Sequence, residues 1–129
     1  MNRKILIAAS ILGLLSIVLG AFGAHGLKQL VSAESVATFE TGVKYQMYHA
    51  LMLLFVGTTS LLTQRSKHII YILALIGVIF FSGSIYGLST NELSSFDFKK
   101  IAFITPVGGL FLIVSWLVML IDFLKNKAE

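Results

Sequence analysis

His25 and His49 are the side chains of this sequence best able to move a proton or hold a ligand, and polar neighbours accompany them: Tyr45, Gln46, Tyr86 and Thr105. Imidazole titrates nearest neutral pH of all side chains, and a polar residue set in an apolar run is costly enough to be read as functional. His49, with Tyr45 and Gln46 just before it, is the sharpest candidate. Its plainer role comes first: a ring nitrogen satisfying a neighbouring helix, with proton handling or ligand contact second. The same order holds for His25. No His-x-x-x-His pair and no carboxylate at ligand spacing joins them, so no metal is expected. Ser82 and Ser84 lack a Gly-x-Ser-x-Gly context, the glycines of 20–26 follow no strand, and there is no cysteine. No catalytic residue and no cofactor is expected, and an enzyme is the minority reading.

The elements that must position these residues are four uncharged stretches, 5–27, 45–64, 68–91 and 101–121, divided by short charged connections. Each is about as long as the ~20 residues a helix needs to cross a ~30 Å hydrocarbon layer. Hydrophobic residues make up 57% of the chain and charged ones 12%, against roughly 25% charged in a soluble domain. The expected fold is all-α: a four-helix transmembrane bundle forming a single domain over residues 1–129. The net charge of +4 is scattered and forms no dense basic run, so no nucleic-acid partner is expected.

Arg3, Lys4, Arg65, Lys67, Lys125 and Lys127 fall on the side of the termini, and Lys28, Lys44, Lys99 and Lys100 on the other. This excess places both termini in the cytoplasm of a multi-pass cell-membrane protein.

Small residues recur along the first span at Ala9, Gly13, Ser16, Gly20 and Gly23, a heptad seam suited to close helix approach in lipid. Gly83 and Gly87 form a Gly-x-x-x-Gly pair in the third span, and Gly108 and Gly109 open the fourth. Ser32-Ala33-Glu34-Ser35 carries the chemistry of a helix start. Thr105-Pro106 fits either a helix capped by Thr105 and beginning at Pro106 or a longer one with Pro106 inside it. Phe96 and Phe98, alternating with charges, fit an interfacial connection, and Tyr45, Tyr48 and Tyr86 fit headgroup anchors. Asp122 is read as an ordinary interfacial charge. His25-Gly26-Leu27 and Tyr86-Gly87-Leu88 form a faint repeat that two duplicated helical hairpins would explain.

The polar residues gather at the end of the bundle away from the termini, so any site is expected there. Three motifs carry a resemblance: 20–27 (GAFGAHGL), 39–51 (FETGVKYQMYHAL) and 105–109 (TPVGG). They resemble the small membrane family catalogued as domain of unknown function 423, which is similar to eukaryotic transmembrane protein 256. The resemblance spans roughly residues 6–116 and implies a four-helix integral membrane protein of a bacterial cell membrane, with no mechanism to carry over. The family pattern usually has glycine where this chain has Ser115. The function expected is that of a non-enzymatic membrane module binding a partner protein or lipid at its extracytoplasmic polar end, with membrane lipid and a protein partner or homo-oligomer as partners. A small transporter or proton-coupled accessory using the histidines is the alternative.

Overall fold

Ser32 and Thr63 each accept a backbone N–H three residues on, from Ser35 and Ser66, and so start two of the long helices. A computed structural model describes residues 2–93 and 97–125 as α1 (Asn2–Ala24), α2 (Ala33–Thr58), α3 (Gln64–Ser89) and α4 (Ile104–Lys125), linked by short 3-10 turns at Leu27–Gln29, Asn91–Leu93 and Phe98–Ile101. Among the described residues there is no strand.

The helices run antiparallel. Gly13 faces Ala50 and Gly20 faces Val43 across α1 and α2, while Gly77 faces Leu112 and Gly108 faces Phe81 across α3 and α4. α2 lies between α1 and α3, and α4 packs on α3. The buried positions of α2 step by three and four: Phe39, Gly42, Gln46, His49, Leu53 and Val56. That is the spacing of a helix packed along a seam. α4 shows the same step at Gly108, Leu112, Ser115, Met119 and Asp122. Outward positions are apolar, with Leu14, Ile17, Phe103, Leu110 and Ile113 all more than half exposed, as a surface bathed in lipid requires.

Three segments are long and apolar enough to cross a membrane: Asn2–Gln29, Gln64–Ser89 and Ile104–Lys125. α2 has the length, 26 residues, without the apolarity. Its register also differs from the expected 45–64. The helix begins at Ala33 and breaks at Thr59, whose backbone is extended, and residues 59–63 form the second connection. The start agrees with the helix-starting chemistry of 32–35, and the first three turns precede the uncharged stretch because Glu40 and Lys44 lie on the exposed face, where long charged side chains reach outward.

α4 starts at Ile104, which places Pro106 in the first turn, where its missing N–H has no intrahelical partner to lose. Thr105 lies inside the helix rather than capping it, and its hydroxyl pairs with Ser84 of α3. In the third connection Asn91 Oδ1 accepts the Phe98 N–H at 2.7 Å, and the Phe98 ring covers Gly87. Phe98 is thereby half-buried against α3; Phe96 lies outside the described residues. His25 follows the end of α1 while Tyr86-Gly87-Leu88 lies within α3, so the two short repeats differ in conformation.

Candidate functional site

Gln46 projects from the middle of α2 and bonds two neighbours at once. Its Nε2 donates to the Leu12 carbonyl of α1 at 2.9 Å, and its Oε1 accepts the Tyr86 hydroxyl of α3 at 2.6 Å. The Tyr86 ring rests on Phe39, centroids 5.0 Å apart. Beside this line the Ser82 hydroxyl donates to the Gly42 carbonyl at 2.7 Å. Two helix contacts, α1–α2 and α2–α3, are therefore bridged by side-chain hydrogen bonds inside a region with no water to replace them. Tyr86 faces inward and is not a headgroup anchor.

His49 lies one turn deeper and faces α4. Its Nδ1 is 2.7 Å from the Tyr45 carbonyl, and Trp116 Nε1 is 3.1 Å from its Nε2. An indole nitrogen only donates, so His49 Nε2 is the acceptor and Nδ1 carries the proton that goes to Tyr45. Both ring nitrogens are occupied by one neutral tautomer. The indole meets the imidazole edge-on, with centroids 6.1 Å apart.

The six candidate residues divide accordingly. Gln46 and Tyr86 bond to each other, Tyr45 and His49 form the second group, and Thr105 pairs with Ser84 on the α3–α4 contact. His25 stands apart: it is exposed beyond α1, its Nδ1 3.0 Å from the Ala21 carbonyl, and it shares no partner with His49. Among the described residues no three His, Asp or Glu side chains converge as a metal would require.

The small residues divide as well. Ala9, Ser16 and Gly23 are buried on α1, with Gly13 and Gly20 half-buried beside them. Gly108 is the tightest: a Cβ there would strike the Phe81 backbone nitrogen and come within 2.8 Å of the Phe80 carbonyl carbon. Gly109 has ordinary room, 3.6 Å from the Phe81 ring. Gly83 corrects the expectation: it is exposed, and a Cβ would meet nothing within 4 Å. Since Gly87 touches Phe98 of the connection, the Gly-x-x-x-Gly pair seats no spanning helix of this chain.

Trp116 and Asp122 were not anticipated in these roles. Asp122 is buried at the terminal end, and its Oδ2 accepts the Thr63 hydroxyl at 2.9 Å. The signal for Trp116 was its place well inside a span, since an indole N–H at that depth needs an acceptor. Beside it, Tyr45, His49, Phe81 and Gly109 line a crevice of about 320 Å³ between α2, α3 and α4.

These motifs and this fold can be set against known proteins. The family described as "Protein of unknown function (DUF423)" matches residues 19–109. The chain belongs to the DUF423 family. It is 37% identical to a UPF0382 membrane protein of Staphylococcus saprophyticus, over 95% of this chain and 98% of that one. A UPF0382 membrane protein of Haemophilus influenzae is 33% identical, covering 99% of both chains. The UPF0382 inner membrane protein YgdD of Escherichia coli K12 is 34% identical, over 99% of this chain and 95% of that one. No solved structure matches. The DUF423 chain is an integral membrane protein of a family whose function is unknown. Ser115 is fully buried and gives its hydroxyl to the Leu112 carbonyl at 2.6 Å.

Proposed function

We propose that this DUF423 chain is a non-enzymatic membrane module that binds lipid in the half of the bundle away from its termini. One observation carries the reading. The polar groups that could act chemically, Gln46, His49, Ser82, Tyr86 and Thr105, are all engaged by partners within the bundle. The recesses of that half open on the lipid-facing surface instead: the aromatic crevice beside Trp116, and a groove of about 440 Å³ between α1 and α2. Tyr45 and Tyr48 meet at a tilt with centroids 5.5 Å apart and are exposed between the two, an amphipathic surface suited to the acyl–headgroup boundary.

The test is native mass spectrometry of the full chain released from nanodiscs of mixed phospholipids. Retention of at least one lipid per chain after the surrounding bilayer is stripped is the expected result. A chain that emerges bare at every collision energy at which it stays folded overturns the reading.

A further inference from the structure

Most cations of this chain stand near an acid. On the side of the termini the acid among the described residues is Asp122, which is buried and accepts the Thr63 hydroxyl. Arg65 and Lys125 share a crevice with it. At the other end Lys28 shares a recess with Glu40, and Lys44 follows the same acid by one helical turn. Arg3 and Lys4 have no such neighbour. Both are exposed, and among the described residues no hydrogen bond or ion pair engages either side chain. Their counter-charge has to come from outside the chain.

The packing of α2 leaves a space beside them. Gly57 packs on Leu6 of α1, and α2 ends one residue later at Thr58. α2 is the helix that lies between α1 and α3, so past that level these two have no helix between them. A crevice of about 680 Å³ opens there, lined by Arg3, Lys4, Ile5 and Ile7 of α1 and by His68 and Tyr71 of α3. α1 and α3 both start on this side and run inward, so on each the lower-numbered residue stands nearer the headgroups. Lys4 precedes Ile7 by three residues and His68 precedes Tyr71 by three, about 4.5 Å in each case. The two helices therefore present the same order. Two cations and an imidazole form the rim, and Ile5, Ile7 and the Tyr71 ring form the apolar part below it.

A recess at this depth is bathed by lipid chains rather than water. The rim adds selection by charge, because basic pockets between helices favour anionic headgroups, and one interfacial Lys or Arg is worth about fivefold in affinity. His68 and Tyr71 add donors that no hydrogen bond engages among the described residues. We propose that this crevice seats one anionic phospholipid of the leaflet on the side of the termini, with Arg3 and Lys4 taking the headgroup charge, His68 a phosphate oxygen, and Ile7 and Tyr71 the acyl chains. The site lies at the opposite end from the recesses of the lipid-binding reading above and does not depend on them.

The test is a titration of the delipidated full chain in detergent with phosphatidylglycerol or with phosphatidylcholine of the same acyl chains, each complex being counted by native mass spectrometry. The first phosphatidylglycerol is expected to bind at least about fivefold more tightly than the first phosphatidylcholine. Arg3→Gln with Lys4→Gln should abolish the difference. Lys28→Gln with Lys44→Gln removes as much charge from the other end and should preserve it. Ile7→Trp, which fills the crevice and keeps its cations, should abolish it too. All five residues are exposed, and a thermal melt checks that each variant folds. Equal affinities in the wild type overturn the proposal, as does a preference that survives the Arg3 and Lys4 pair or falls equally with the Lys28 and Lys44 pair. A preference that survives Ile7→Trp shows that the cations attract lipid without the crevice, and the site falls. Phosphatidylcholine binding reports on the recesses at the other end, so the two readings fail separately.

Discussion

Trp116 Nε1 lies 3.1 Å from His49 Nε2, so the bond between α4 and α2 is an indole donating to a neutral imidazole across 67 positions of sequence. The imidazole is set for this by the bond of its other nitrogen to the Tyr45 carbonyl at 2.7 Å. Breaking the pair from either side leaves a polar group unsatisfied in hydrocarbon. His49→Ala and Trp116→Phe should each lower stability by about 1 to 3 kcal/mol. The double mutant should lose less than the sum, with a coupling of about 0.5 to 2 kcal/mol. Unfolding in mixed micelles of increasing denaturing detergent reads all three. Additive losses would show that the hydrogen bond contributes nothing.

Gln46 supports a different expectation. Tyr86→Phe removes one hydroxyl donor from Gln46 Oε1 and should cost about 1 kcal/mol. Gln46→Leu removes both inter-helix bonds but also frees the Leu12 carbonyl, to which the buried Ser16 hydroxyl, without a hydrogen-bond partner in the wild type, can then turn. Its loss should therefore fall short of two hydrogen bonds, and Ser16→Ala, harmless in the wild type, should become destabilising in the Gln46→Leu background. The same micelle titration measures this reversal; its absence would mean that Gln46 does not keep Ser16 from the Leu12 carbonyl.

The glycines separate into critical and free positions. Gly108→Ala drives a methyl into the α3 backbone at Phe80 and Phe81, which cannot yield as a side chain could. A loss of about 1 to 3 kcal/mol is expected, as for other overpacked sites. Gly83→Ala meets open space on an exposed face and should be neutral or mildly stabilising, since alanine is the better helix former. Thermal melts of the two variants in one detergent decide it, and equal behaviour would mean that the α3–α4 register differs from the one described.

Orientation is open to a direct measurement, because the chain has no cysteine of its own. The charge excess on the side of the termini leads us to expect that Ser60→Cys, in the second connection, reacts with a membrane-impermeant maleimide only after the cells are opened. Glu34→Cys, at the exposed start of α2, should react in intact spheroplasts. The reverse pattern would place the termini outside.

The helical architecture could be read from the sequence because it rests on local quantities: the apolar runs of α1, α3 and α4, the cap at Ser32, and a proline that fits the first turn of α4. The start of α2 was legible at 32–35, but its end at Thr58 was not, because residues 59–63 carry no charge to mark the connection before Arg65. Gln46, His49 and Tyr86 were recognisable as unusual, yet their partners were not. Leu12, Trp116 and Ser82 acquire their roles only once the helices are in register, and register is a property of the packed bundle. Asp122 illustrates the same limit. As a charge near a helix end it reads as interfacial, and only the position of the 59–63 connection brings the Thr63 hydroxyl to it.

The polarity of α2 also bears on how the protein is made. A helix carrying Gln46 and His49 on one face has no resting place in bare lipid, since the groups that satisfy them belong to α1, α3 and α4. During synthesis α1 can leave the insertion machinery alone, but α2 gains its first partner from α1 and the next only when α3 has emerged. The expected route of biogenesis is delayed release, in which α2 waits at the exit site for its successors and the bundle enters the membrane as an assembled unit rather than one helix at a time.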